Sequence, residues 1–315
     1  MEILSESGLE EHFTIFKEFA QQHPRLKNSN DEQIKEFFLG HITNPMHVIY
    51  IKRDEQAKIQ QFALAMMHDD FESAWHLGIG YQKKESTQSP EILLEKKTQF
   101  FLDIIEFLQK IPSTKIINIG GHFKEVELDN LLETKGFKFV NRRKMKIVKD
   151  SLDNIQNFPS QMQLIPWDDK YSDEISQLCL DFSKVRTDKE IFPYFHDFQS
   201  TQKFSKKIKE NAWGDFYPEL SFILLDKEKP IGICYITEFN PSFGYIPYFG
   251  IHPDYQKKGL GTKLLSNSIL NALDLKKKWD RVELDVTQGI PAEKLYEKVG
   301  FESLREYSMF NWNRV

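Results

Sequence analysis

Apolar and polar positions fall into short runs over the second half of the chain, separated by clear turn residues. Apolar stretches at 162–165, 221–225, 231–239, 245–251, 281–286 and within 301–312 have strand length and composition. Helical spacing marks 171–182, where Ile175, Leu178 and Phe182 share a face, then a segment around 201–211, then 259–273 and 291–299. Asp226-Lys227-Glu228-Lys229-Pro230 predicts a hairpin, and Asn240-Pro241-Ser242-Phe243-Gly244 a second turn. Strand 245–251, helix 259–273 and strand 281–286 form a crossover, which makes those two strands parallel neighbours. The hairpins before it pair antiparallel, so the sheet is mixed and carries helices on its faces. Pro247 cannot donate to a ladder and is expected at a bulge or an unpaired position.

The first half repeats this order. Strand 48–51, a polar turn and strand 57–67 match the later hairpin. His76-Leu77-Gly78-Ile79-Gly80-Tyr81 parallels Tyr248-Phe249-Gly250-Ile251-His252-Pro253 at an offset of 250 − 78 = 172. Leu132-Glu133-Thr134-Lys135-Gly136-Phe137 parallels Tyr296-Glu297-Lys298-Val299-Gly300-Phe301 at 300 − 136 = 164. Two similar offsets in one order indicate an internal duplication. The polar stretch 149–160 reads as the linker, which gives domains at 1–150 and 160–315. With 315 residues, two domains of ordinary size are also the default expectation.

Composition narrows the classes. At 40% hydrophobic and 28% charged, each half can bury a core. A net charge of −5 gives no global push toward nucleic acid or acidic membranes, so neither is expected as a partner. Two cysteines, Cys179 and Cys234, do not make a disulfide framework, and no metal-ligand spacing joins them to a histidine pair. The first residues lack the basic-then-apolar pattern of a signal peptide, and no apolar run reaches transmembrane length. A cytoplasmic location is the expectation, with no metal.

The chemistry concentrates at 245–301. Strand 245–251 runs into His252-Pro253 and then Gln256-Lys257-Lys258-Gly259-Leu260-Gly261-Thr262, which opens a helix. Two glycines beside two lysines at a helix start expose backbone N–H groups that lack intrahelical partners, and the helix dipole there favours negative charge. In the first half the corresponding stretch is Gln82-Lys83-Lys84-Glu85-Ser86-Thr87, where Glu85 replaces a glycine with negative charge. Leu132 stands where Tyr296 stands. The first copy is therefore expected to keep the fold and to lack a cofactor site.

These residues resemble the GNAT superfamily of N-acetyltransferases in its tandem two-domain form. The likeness rests on Ile251-His252-Pro253, on Gln256 through Gly261, and on Ala292 with Leu295 through Phe301. It implies an α/β (mixed α+β) protein of two GNAT-like domains. Each has a mostly antiparallel sheet with one splayed parallel strand pair and flanking helices. It implies acetyl-coenzyme A as co-substrate, with backbone groups of Phe249 and Ile251 along the pantetheine arm and a backbone N–H near Phe249 or Gly250 polarising the thioester carbonyl. Gln256, Lys257, Lys258, Gly259, Leu260, Gly261 and Thr262 would form the pyrophosphate cradle. Tyr296 takes the place of the family's general acid, a phenol that stays protonated near neutral pH and can protonate the departing thiolate. Many members carry an asparagine seven residues before that tyrosine; here the position is Gly289, and Gln288 is the neighbouring amide.

The bland alternatives are specific. A Gly-x-Gly can be only a helix start, Tyr296 only a core aromatic, and Lys257 and Lys258 only solvated. Glu238 and Asp285 are the carboxylates in range for a base. The aromatics Phe192, Tyr194, Phe195, Phe198, Trp213, Phe216 and Tyr217 either line the acceptor side or pack as core, and Asp188, Glu190 and Asp197 either attract an ammonium or face solvent. The expected function is acetyl transfer to a primary amine of a small molecule or peptide, by direct attack in a ternary complex. The rivals are a non-catalytic acyl-coenzyme A sensor and a tRNA-dependent aminoacyl transferase. A tandem copy can act as an internal pseudo-dimer, so a monomer is the expected state.

Overall fold

The computed structural model describes residues 2–22, 26–67, 74–82, 89–120, 126–152, 157–184, 195, 197–276 and 278–314. In chain order the elements are β1 (Glu2–Ile3), α1 (Glu6–Glu11), α2 (Phe13–Gln22), α3 (Asp31–Ile42), β2 (His47–Arg53), β3 (Ile59–Met67), β4 (Ala74–Gln82), α4 (Pro90–Lys110), β5 (Ile116–Ile119), α5 (Val126–Thr134) and β6 (Lys138–Ile147). They continue with β7 (Met162–Pro166), α6 (Ser172–Ser183), α7 (Phe198–Lys209), β8 (Asp215–Phe216), β9 (Phe222–Asp226), β10 (Lys229–Asn240), β11 (Phe243–Ile251), α8 (Leu260–Leu275), β12 (Arg281–Thr287), α9 (Pro291–Val299) and β13 (Glu302–Asn313). Every second-half element expected from the sequence is present. Helix 291–299 has the expected bounds, and the others differ by a few residues at their ends.

Two compact units result: residues 1–139 with 308–315, and residues 140–307. A cut near residue 150 therefore misassigns the last strand of each half. In the second unit, residues 142–147 of β6 pair antiparallel with β12. In the first, residues 310–313 of β13 pair antiparallel with β5. The sequence pattern of a strand sets which face is apolar but not which neighbour it joins, so the exchange was not visible in the periodicity.

The second unit has the order β6-β12-β11-β10-β9-β7, with β8 against β10. Only β11 and β12 pair in parallel. One face is covered by α8 and α9, over Val282, Leu284 and Val286 of β12, Met145 and Ile147 of β6, and Leu264, Leu265 and Ile269 of α8. The other face packs on α6 and α7 through Ile175, Leu178, Phe204, Ile208, Tyr235 and Tyr248. Ile175, Leu178 and Phe182 do share the inward face of α6. The first unit has the order β1-β2-β3-β4-β5-β13. Its helices α1 to α3 bury Leu9, Phe16 and Phe38 on Phe62 and Ile49, and α4 buries Phe101, Ile104 and Leu108 on Leu77 and Ile117. α3 begins with a capping box in which Asn30 and Gln33 bond reciprocally at 2.9 and 3.0 Å.

Both units contain one short parallel pair, and its register differs from the glycine match. In both units the parallel ladder stops at a bulge: the last pairs are Leu77↔Ile119 and Ile246↔Leu284. That sets an offset of 246 − 77 = 169, so Gly78 is not the equivalent of Gly250. Gly78 is the unpaired residue of the first bulge, between Leu64↔Ile79 and Ala65↔Leu77. Pro247 occupies the second, between Tyr235↔Tyr248 and Thr237↔Tyr245. A residue without an N–H thus stands where the ladder ends. The Leu132/Tyr296 match holds in detail. Gly136 and Gly300 both end their helices at positive φ (82° and 108°). In each, the following phenylalanine donates its N–H back to position 132 or 296 at 3.0 Å.

Candidate active site at the sheet fork

Beyond Ile246↔Leu284, β11 continues for five residues and β12 for three without pairing to each other. β11 stays bonded to β10 through Cys234↔Phe249, Ile233↔Gly250 and Gly232↔Ile251. The N–H of His252 donates to Ile231 O at 2.8 Å, so residues 252 and 250 turn their backbone groups toward β10. Phe249 and Ile251 then turn theirs into the fork. The carbonyl of Ile251 accepts from Gln256 Nε2 at 3.0 Å. Of the three strand residues named from the sequence, Phe249 and Ile251 present backbone to the opening, and Gly250 presents its backbone to β10.

The mouth of the fork is the start of α8. His252 Nδ1 accepts from the Asp254 N–H at 3.3 Å, bracing the turn as expected. Lys257 (φ 59°) and Gly259 (φ 76°) both take left-handed conformations, which curls the backbone just before the helix. Gly259 is the N-cap and no side chain caps the helix. The first N–H groups of α8 have no intrahelical acceptor and face outward. A Cβ on Gly259 would meet nothing within 4 Å. Gly261 differs: a Cβ there would lie 2.9 Å from Leu295 Cδ1, 3.6 Å from Phe249 Cζ and 3.7 Å from Ile251 Cγ1. It marks the point where α8, α9 and β11 meet. Lys257 and Lys258 are exposed, and Lys258 Nζ donates to Asp254 O at 2.8 Å and sits over the Tyr255 ring.

Tyr296 reaches the same point from α9. It is buried, with its ring 6.2 Å from that of Phe249 and 5.7 Å from that of Phe301. Tyr296, Phe249, Ile251 and the Gly259–Thr262 turn are thus brought together around one opening. Gln288, in the turn between β12 and α9, has a buried side-chain Nε2 with no acceptor among the described residues. Its backbone N–H donates to Asn141 O at 2.8 Å.

Of the two carboxylates, Glu238 lies well before the fork and pairs with Lys276 Nζ at 2.8 Å. Asp285 is the first β12 residue past the last parallel pair. Its oxygens accept from Tyr245 at 2.9 Å and Tyr307 at 2.8 Å, and Lys144 Nζ is 3.3 Å away. Burial, and then the Asp285 charge, hold both phenols well above the ordinary tyrosine range, so they remain donors. Cys234 is fully buried, and burial pushes its thiol up to about 12, which removes it as a nucleophile.

The aromatic segment resolves mainly as core. Phe195 and Phe204 are buried against Tyr248, with Trp213 and Phe216 packed beside them. Tyr217 packs on the other face, under Lys276. Asp197 caps α7, accepting from Ser200 N–H at 2.7 Å. Phe192, Tyr194, Asp188 and Glu190 lie outside the described residues, as do residues 83–88 with Glu85. Among the described residues no cluster of three His, Cys, Asp or Glu could hold a metal ion, and no helix is long and apolar enough to cross a membrane.

A mixed sheet that forks beside an uncapped, glycine-led helix defines the GNAT type of α/β protein. Residues 186–301 match the model of the acetyltransferase (GNAT) family. A comparison with curated protein sequences gave no match. Among solved structures, a GCN5-related N-acetyltransferase from Sphaerobacter thermophilus superposes with a TM-score of 0.62 at 14% identity, covering 99% of this chain and 94% of that one. A tandem GNAT protein from the clavulanic acid biosynthesis pathway, solved without acetyl-coenzyme A, gives 0.61 at 11% identity, with 99% and 97% covered. At these identities the likeness establishes the fold. The family match supports acyl-coenzyme A-dependent acetyl transfer in general.

Proposed function

We propose that the second unit is an acetyl-coenzyme A-dependent N-acetyltransferase acting on a primary amine of a small molecule or peptide. The observation that carries this reading is the convergence of Tyr296 on the open backbone edge of β11 beside the uncapped start of α8. The coenzyme's diphosphate would rest on the N–H groups of residues 258–262, where helix dipole and unpaired donors favour an anion. Lys257 and Lys258 add positive charge to that mouth. The open backbone of Phe249 and Ile251 would bond the pantetheine amides as an added strand does. The Phe249 N–H faces the fork and is the donor available to polarise the thioester carbonyl, a role Gly250 cannot fill with its N–H turned to β10. The amine attacks as its free base, the Tyr296 hydroxyl gives its proton to the leaving sulfur, and the proton shed by the new amide nitrogen restores the phenol. The Gln288 amide is a further donor for the coenzyme arm.

Tyr296→Phe tests the reading. Thiol release from acetyl-coenzyme A across an amine panel should fall about 100-fold in kcat, the usual size of a lost general acid, while coenzyme affinity by titration calorimetry stays within about twofold. Unchanged turnover removes Tyr296 from the chemistry. Binding with no transfer to any amine, by the native chain, favours the sensor instead.

A further inference from the structure

Helix α9 carries Tyr296 but is only nine residues long, and its N-cap, Ile290, offers no side-chain cap. What fixes it is a guanidinium from another part of the chain. Arg143 on β6 pairs with Val286 on β12 and so stands on the sheet face that α9 covers. Its Nη1 lies 2.9 Å from Glu293 Oε1 and 3.3 Å from Glu297 Oε1, and its Nη2 bonds Glu306 Oε1 at 2.9 Å. Glu293 and Glu297 are one helical turn apart on α9 and flank Tyr296 in sequence, so one cation grips two successive turns. Glu293 is only 12% exposed, and its other oxygen, Oε2, accepts the Gly289 N–H at 2.7 Å. The same carboxylate therefore holds the β12–α9 turn by a hydrogen bond through Oε2 and faces the β6 guanidinium as a charge through Oε1. Arg143 belongs to the strand that sequence order gives to the first copy.

We infer that Arg143 is the positioning residue for Tyr296: by clamping Glu293 and Glu297 it sets the height and rotation of α9 over the fork. The inference rests on the reading of Tyr296 as the proton donor. In this inference Arg143 acts on Tyr296 through α9.

The test uses the full chain. Arg143→Met should lower kcat about tenfold, with coenzyme affinity changed less than about twofold, and Arg143→Lys should recover most of the loss. Glu293→Gln should repeat the pattern, because it weakens the same grip. The deciding measurement is the cycle with Tyr296→Phe. In that background Arg143→Met should cost less than about twofold more, since a misplaced helix cannot harm an absent hydroxyl. Equal losses in both backgrounds, or no loss in kcat from Arg143→Met, overturn the inference. A kcat loss in every variant that only follows a fall in melting temperature also overturns it. If Tyr296→Phe alone leaves turnover unchanged, the reading of Tyr296 is what has failed.

Discussion

Gly259→Ala separates the two reasons for a glycine at the mouth of α8. Gly259 sits at φ 76°, ψ −4°, where an alanine pays about 1–2 kcal/mol. No atom lies within 4 Å of the added Cβ, so packing contributes no further cost. For a unit of this size that strain should lower the melting temperature by roughly 2–8 °C. The strain is present with and without ligand, so it cancels from a dissociation constant. If the diphosphate lies against this turn, the methyl group occupies its space, and affinity should fall by more than about tenfold, or ~1.4 kcal/mol. Titration calorimetry with coenzyme A and scanning calorimetry on the same samples read the two effects apart. Gly261→Ala is the contrast, since its Cβ meets Leu295 Cδ1 at 2.9 Å and perturbs packing where α8 meets α9. A lowered melting temperature with coenzyme A affinity within twofold of native would show that Gly259 serves the backbone alone, and the phosphate assignment would be abandoned.

Two further outcomes follow from the first unit. Equilibrium dialysis should find one coenzyme A per chain, because α4 opens on a capping Ser89 and on Pro90, which has no N–H, where α8 opens on the uncapped Gly259; two equivalents would contradict a lost site. His41 and His47 share a hydrogen bond between their Nδ1 atoms at 2.8 Å, and burial, then His47, lowers His41 from 6.5 to about 4. The unfolded chain therefore binds the extra proton between those values, and stability present above pH 6.5 is lost as pH falls toward 4. The loss is bounded by roughly 3 kcal/mol and reduced by solvent screening of a partly exposed ring. Denaturant midpoints of native chain and His41→Phe should converge as pH falls from 7 to 4. Parallel curves would mean that the pair does not carry the effect.

The second unit was legible because its strands are short, its turns are punctuated by Gly, Pro and Asp, and its one crossover fixes a parallel pair. Pro247 could be placed at the bulge because its missing N–H excludes a laddered position. The limits were all non-local. Pairing partners of β6 and β13 depend on sheet edges that no periodicity encodes. The glycine match that gave an offset of 172 followed residue identity, while the structural repeat follows the bulge. Arg143 was unreadable as a clamp because its three carboxylates come from α9 and β13. The aromatic run split, because alternate residues of a loop and helix face cores that only the fold defines.

The paired copies also bear on what Tyr296 is for. Positions 132 and 296 have the same helix end, the same left-handed glycine and the same back-bonded phenylalanine. Leu132 fills its position with no exposure, in the core beside Phe137 and Leu108. An apolar side chain therefore satisfies the packing of this site completely. Tyr296 is buried to nearly the same degree and brings a hydroxyl with it. The fork, its bulge and the helix end are properties of backbone and are common to both units. In the proposed reaction the proton for the thiolate comes from the side chain at this position, which is tyrosine in the second unit and leucine in the first.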